Sequence, residues 1–208
     1  KIAVFASGGG TDFQSVIDAN EADKFCQIAY LVASKPNIGA IERAKKHGIQ
    51  TIVFDKDSGE SMGEFYARLT AVFKAEGIDY LLLAGWLKII PEDFIASFED
   101  KIINIHPALL PSFGGKGYYG LRVHEAVLAY GAKVSGATVH FVSAEVDGGA
   151  IIAQSCVPVK NDDTAETLQQ RVLAVEHLLL PKVMRLLCEG KVQKDGRTVK
   201  VLDENTQK

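Results

Sequence analysis

Asn104 and His106 stand two apart in the run Ile103-Asn104-Ile105-His106-Pro107. On an extended strand such residues share a face, while Ile103 and Ile105 take the other. An amide donor beside an imidazole suits the task of holding an oxyanion as it develops on a carbonyl under attack. The pattern also fits a buried strand that carries two polar residues and no chemistry. A third candidate, Asp147, lies in Val146-Asp147-Gly148-Gly149. Beside His106, a carboxylate would keep the ring charged and could accept a proton. Asp is equally at home in a plain turn ahead of glycines. Spacing along the chain does not bring Asp147 to His106, so their proximity is an expectation that the fold must meet.

A second chemistry is written in Ser7-Gly8-Gly9-Gly10-Thr11, which follows a strand-like run and opens a helix-like one. Free backbone N–H groups and the positive helix end there suit an anion, and the Thr11 hydroxyl adds a donor. A dinucleotide fingerprint needs a glycine where Phe13 stands, and no Gly-Lys-Ser/Thr follows the turn. One phosphate group therefore fits better than a pyrophosphate. A tight turn without a ligand is the alternative, and Asp12 would repel an anion unless it turns away to cap the helix. Other chemistries are poorly equipped. His106, His124 and His140 include no i, i+4 pair and no companion cysteine, so no metal is expected. Ser7, Ser112 and Ser155 lack a nucleophile-elbow sequence. His124 and His177 are expected to cap or line helices.

Positioning these groups requires a scaffold of alternating elements. Strands are predicted at Ile2–Ser7, Ile28–Ser34, Thr51–Asp55, Tyr80–Ala84 and Ile102–His106. Helices are predicted between them, at Phe13–Ala22, Ile38–Lys46, Glu64–Lys74 and Glu92–Ser97. The clearest helical period is Met62, Phe65, Tyr66, Leu69, Val72 and Phe73. This alternation predicts an α/β protein with a mostly parallel, open, twisted sheet and helices on both faces. Asn104 and His106 then fall at a strand's C-terminal end, where open sheets of this kind keep their ligand crevice. Residues 107–121, rich in glycine and proline, read as a long functional loop. A helix over Val123–Tyr130 follows, then strands Val134–Val142 and Ala150–Val159. A long helix over Thr164–Leu187 is capped by Asp162, Asp163 or Thr164, and Pro181 predicts a kink or break near Leu180. From about residue 191 a short tail reads as a hairpin around Asp195-Gly196. With no repeat and no linker, residues 1–208 are expected to form a single domain.

Composition narrows the function classes. The chain has 208 residues, 47% hydrophobic and 24% charged, the ordinary balance of a globular protein able to bury a core without staples. Net charge is −3, from 23 Lys and Arg against 26 Asp and Glu, so no duplex-binding footprint exists and no nucleic-acid partner is expected. No run reaches the roughly 20 apolar residues of a membrane helix. The opening Lys1-Ile2-Ala3-Val4-Phe5-Ala6 lacks a secretory-signal pattern. Cys26, Cys156 and Cys188 have no paired spacing and sit in apolar runs, where buried thiols are common. A cytoplasmic location without membrane association is the expectation.

Four segments, in order, resemble the phosphoribosylglycinamide formyltransferases of the 10-formyltetrahydrofolate-dependent formyltransferase family. They are Ser7-Gly8-Gly9-Gly10-Thr11-Asp12-Phe13-Gln14, Leu83-Ala84-Gly85-Trp86-Leu87-Lys88-Ile89-Ile90, Asn104-Ile105-His106-Pro107-Ala108-Leu109-Leu110-Pro111 and Val146-Asp147-Gly148-Gly149. The likeness runs from Lys1 to about Lys191. It implies a Rossmann-like formyltransferase fold and formyl transfer from the co-substrate 10-formyltetrahydrofolate to the amine of glycinamide ribonucleotide, with no metal.

The resemblance also implies residue roles. Asn104 and protonated His106 would stabilise the oxyanion. Asp147 would hold His106 charged and, directly or through a water, take the amine's proton. Gly9, Gly10, Thr11 and Asp12 would form the phosphate loop, Glu176 would contact the ribose, and Pro107 would border both substrates. Leu87, Lys88, Ile89 and Ile90, with Asn104 and the backbone of Ala144, Glu145, Val146 and Asp147, would enclose the pterin. Asp12 departs from the family's usual Asn, and Lys88 from an Arg found in some members. The chain would work as a monomer or homodimer. Another folate-dependent formyltransferase, acting on a different amine, is the alternative; its tRNA-acting members would be expected to carry a further C-terminal domain and a basic face.

Overall fold

The computed structural model describes residues 1–202; residues 203–208, the end of the expected domain and tail, lie outside them. Two compact units divide the chain, Lys1–Asn104 and the residues from Ile105 onward. The first unit holds β1 (Ile2–Ala6), α1 (Thr11–Asp23), β2 (Ile28–Ala33), α2 (Gly39–Lys46) and β3 (Gln50–Val53). Next come α3 (Met62–Glu76), β4 (Tyr80–Leu83), α4 (Glu92–Ser97) and most of β5 (Ile102–His106). Pairings β1–β2, β1–β4, β2–β3 and β4–β5 are all parallel, as helical crossovers between strands require. All five residues of β1 are buried, so both of its faces are covered.

The hydrogen-bonded strand order is β3-β2-β1-β4-β5-β6-β7. The chain therefore winds one way from β1 to β3 and then returns to place β4 on the other side of β1. The loops that leave β1 and β4 diverge at this reversal, which is where open α/β sheets form a crevice. Beneath the crevice, the Phe5 ring packs edge-on against Phe73 at 6.1 Å, Trp86 at 5.2 Å and Phe94 at 6.3 Å. Helix α3 starts from a Ser61–Glu64 capping box and ends at Gly77, whose φ of 63° suits glycine. Its predicted stripe is the buried one: Phe65, Tyr66, Leu69 and Phe73 face the core.

The second unit contains α5 (Leu121–Tyr130), the antiparallel pair β6 (Val134–Phe141) and β7 (Ile151–Pro158), α6 (Ala165–Cys188), and a hairpin of β8 (Val192–Asp195) and β9 (Thr198–Val201). Of the three expected caps for α6, Thr164 fills the position, in a reciprocal pair with Thr167. Of the kink or break expected near Leu180, the break does not occur, and α6 runs through Pro181. Pro181 removes one helix N–H, yet it is buried in line with Leu180, Val183 and Met184. That apolar face carries the helix past the missing bond. Cys156 also departs from expectation: it is exposed, on the outward side of β7. Among the described residues no helix is long and apolar enough to cross a membrane.

Phe73 is fully buried at the centre of the first unit's aromatic cluster. Phe73→Ala is expected to cost about 3–5 kcal/mol, measured as a lower urea midpoint. A midpoint within error of the parent would contradict this packing.

Candidate functional site

The glycine loop between β1 and α1 is shaped by α2. The Gly8 carbonyl accepts from the Ala40 N–H at 3.1 Å, and the Gly9 carbonyl accepts from Arg43 Nε at 2.7 Å. In a trans peptide the N–H points opposite to the C=O. With both carbonyls turned to α2, the N–H groups of Gly9 and Gly10 face away from it. Gly10 is left-handed (φ 71°, ψ 39°) and Thr11 begins α1, so consecutive amides curve into a nest of the kind that holds anions. A side chain on Gly10 would stand 2.8 Å from Ala40 Cβ, so glycine is required there. Arg43 is braced in turn, donating through Nη1 to Gln14 Oε1 at 3.0 Å. Thr11 is exposed, and Asp12 lies one residue into the helix with a carboxylate oxygen shielded from solvent. Gly10, not Asp12, is the N-cap.

The loop after β4 leaves the same end of the sheet. Ser7 joins the two loops: its N–H donates to the Gly85 carbonyl at 3.1 Å and its Oγ accepts from Leu87 N at 3.0 Å. Trp86 turns inward and donates from Nε1 to Tyr66 Oη, which donates to the Ile89 carbonyl at 3.3 Å. Burial pushes the Tyr66 phenol up to about 12, against the lowering effect of the Trp86 bond, so it remains a donor. With Trp86 anchored, Leu87 and Ile89 are left 61% and 73% exposed. Such exposure of two large apolar side chains beside a rigid backbone suits a flat ligand. Lys88 is exposed and Ile90 half-buried.

Asn104 and His106 occupy the last turns of β5 on one side of the strand, Asn104 half-buried and His106 buried. Within the second unit the structure brings Asp147 to His106: Nδ1 and Oδ2 are 3.5 Å apart. His106 Nε2 donates to the Phe113 carbonyl at 2.8 Å. Both ring nitrogens thus face acceptors, an arrangement that the doubly protonated ring satisfies on both sides. Asp147 also accepts from Gly115 N at 2.8 Å and faces His140 Nε2 at 3.7 Å.

The turn that carries Asp147 is tightly determined. Asp147 itself is left-handed at φ 55°. Gly148 N donates to the Glu145 carbonyl at 3.0 Å, and Phe141 N to the Ala150 carbonyl at 2.9 Å. A Cβ on Gly149 would collide with the Phe141 carbonyl, so glycine is a steric requirement at that position. Ala144, Glu145 and Val146 are exposed on the outside of this turn. Pro107 is half-buried just past β5, and the backbone beyond it is pinned by Thr138, whose Oγ1 donates to the Ala108 carbonyl at 2.6 Å and accepts from Leu110 N at 3.1 Å. Glu176 is buried on α6 between Val172 and Leu180.

Several of these contributors carry no signal in the sequence. His140 is brought beside Asp147 by a register shift at Val139/His140, and only that bulge re-aims it. Phe113 and Gly115 act through their own backbone groups, and Arg43 and Thr138 act on backbone groups of other residues, which residue types alone do not reveal. Burial holds the His140 imidazole below its ordinary range; its bond to the Phe141 carbonyl and the Asp147 charge oppose this, and the His106 charge adds to it. His124, on α5, is pulled down to about 4 by burial and further by the charge of His106. Its Nδ1 has no hydrogen-bond partner among the described residues.

The α/β sheet thus carries Asn104 and His106 at the end of β5, with Asp147 brought to His106 by an Asp-Gly-Gly turn. The formyl transferase family matches residues 1–184, and the chain belongs to it. It is 46% identical over 199 residues to phosphoribosylglycinamide formyltransferase, chloroplastic, of Vigna unguiculata, covering 94% of this chain and 64% of that protein. The protein of the same name from Arabidopsis thaliana is 45% identical over 195 residues, covering 93% and 67%. The chain thus spans about two thirds of the length of these relatives. The crystal structure of glycinamide ribonucleotide transformylase 1 from Symbiobacterium toebii superposes with a TM-score of 0.89 at 37% identity, covering 97% of this chain and 93% of that one.

The His124 shift has a consequence for stability. Below its ordinary value of 6.5 the unfolded chain binds a proton that the folded protein refuses until about pH 4. Stability from this residue is therefore full above about 6.5 and is lost as the pH falls toward about 4. His124→Gln is expected to lose less stability than the parent between those limits in urea titrations at stepped pH. Equal losses would contradict the buried neutral imidazole.

Proposed function

We propose that this chain transfers the formyl group of 10-formyltetrahydrofolate to the amine of 5'-phosphoribosylglycinamide, giving the formylated ribonucleotide and tetrahydrofolate in purine synthesis. The observation that carries the reading is the approach of Asp147 to His106 at 3.5 Å, at the end of the strand bearing Asn104. Membership of the formyl transferase family supports it, as do the names of the relatives.

In this mechanism the amine attacks the formyl carbon, and negative charge builds on the formyl oxygen. Asn104 and the His106 Nε2–H stabilise that charge; the Nε2–H bond now spent on the Phe113 carbonyl passes to the formyl oxygen. Asp147 balances the imidazolium and accepts the proton that the amine sheds, with His140 beside its second oxygen. Collapse of the tetrahedral intermediate then breaks the bond to the folate nitrogen, which takes up the proton that Asp147 received from the amine and so returns Asp147 to the carboxylate. An amide-like formyl carbonyl is a weak electrophile, so preorganised donors do more here than a covalent nucleophile could.

Gly9, Gly10 and Thr11, whose amides form the nest, take the phosphate in this proposal, with Asp12 at its border. Glu176 takes the ribose, and Pro107 borders both substrates. The exposed Leu87 and Ile89, with Lys88 and Ile90, provide contact for the pterin, as do Ala144, Glu145 and Val146. The chain works as a monomer or homodimer in the cytoplasm; the two plant relatives are named chloroplastic.

The test is an assay of tetrahydrofolate formation by the purified protein with 5'-phosphoribosylglycinamide, with methionyl-tRNA, and with no acceptor. Turnover that depends on the ribonucleotide is expected. Turnover with the tRNA, or release of free formate, would replace this reading with another formyltransferase or a hydrolase. Asn104→Ala and Asp147→Asn are each expected to lower kcat by about 10²–10³ with circular dichroism unchanged. Undiminished turnover in either would remove that residue from the mechanism.

A further inference from the structure

The hairpin β8–β9 lies beyond the residues that the formyl transferase family matches, which end at 184. It nevertheless reaches the turn that carries Asp147. Arg197, at the tip of the hairpin after Asp195-Gly196, donates from Nη1 to the Gly148 carbonyl at 2.9 Å. A second tie lies on the same hairpin, where Lys194 Nζ stands 5.9 Å from the centre of the Phe141 ring, at the base of that turn.

We propose that Arg197 is a positioning residue for Asp147, so that the C-terminal hairpin is a working part of the site. Gly148 links the two residues. Its N–H is held by the Glu145 carbonyl and its C=O by Arg197, so both polar groups of the residue bonded to Asp147 are fixed. Gly149, on the other side, lies so close to the Phe141 carbonyl that a side chain there would collide with it. Glycine has the widest backbone freedom of any residue, and Gly148 is otherwise unconstrained by a side chain. Releasing its carbonyl lets the peptide planes around Asp147 rock. Asp147 holds a left-handed backbone at φ 55°, a conformation that persists only where its surroundings enforce it. The carboxylate it carries must face His106 and accept from Gly115 at once, so a small rotation weakens both contacts.

This inference rests on the proposed role of Asp147 in proton transfer, and its test separates the two. The first readout needs no activity: amide hydrogen exchange at Gly115, whose N–H donates to Asp147. Arg197→Ala is expected to speed that exchange about threefold to tenfold, with the melting temperature and exchange in the core strand β6 unchanged. The second is kinetic. The same variant is expected to lower kcat about threefold to tenfold while KM for both substrates stays within about twofold, and Arg197→Lys, which keeps a donor on the stem, is expected to recover part of the loss. Parent-like kcat in Arg197→Ala beside a large loss in Asp147→Asn overturns the positioning role and leaves the mechanism standing. Parent-like kcat in Asp147→Asn overturns the mechanism, and exchange at Gly115 alone then decides whether Arg197 braces the turn.

Discussion

The structure depends most on where one carboxylate can be held. Asp147 is largely shielded from water, and a buried charge must find partners or lose its ionisation. It finds them in a backbone amide and the buried imidazole of His106, while a second buried imidazole, His140, stands 3.7 Å from its other oxygen. Each partner is costly to supply. Asp147 takes a left-handed backbone, β6 takes a register shift to aim His140, and the Phe113–Gly115 segment folds down so that one residue caps His106 and another caps Asp147. Such local departures from regular structure concentrate where function requires them. Opposite charges in a dry setting interact strongly, which is what a site needs to steady charge that appears only in a transition state.

The first unit answers a different requirement with a similar device. An anion nest needs several N–H groups aimed at one point, and regular structure spends its N–H groups on itself. Here α2 takes the carbonyls of Gly8 and Gly9, and peptide geometry turns the amides the other way. The neighbouring loop uses Trp86 as an anchor so that Leu87 and Ile89 can stay exposed. In both units, contacts from neighbouring segments set which groups are left available for chemistry.

Much of the scaffold was legible in the sequence because periodicity reports burial. The strand Ile102–His106 and the helix Glu92–Ser97 fall at their predicted limits, and the α3 stripe is the buried one. Local chemistry marked the α6 cap and the hairpin at Asp195-Gly196. Pro181 was expected to kink or break α6, and the helix is not broken there, since a tertiary apolar face outweighs one lost helix bond. For the candidate site, residue type and order singled out Asn104, His106 and Asp147 as candidates, while their spacing said nothing of the approach that joins Asp147 to His106. His140 was weighed only as a metal ligand, and its aim toward Asp147 depends on a bulge. Arg43 and Arg197 donate to carbonyls far along the chain, contacts that no pattern of side chains encodes.

The central claim is that His106 and Asp147 act as one unit. A double-mutant cycle on kcat/KM, with His106→Asn, Asp147→Asn and the pair together, measures this directly. If the two work through each other, the double variant is expected to be no more than about threefold worse than the weaker single variant. Losses that multiply, each variant costing the same in either background, would contradict it.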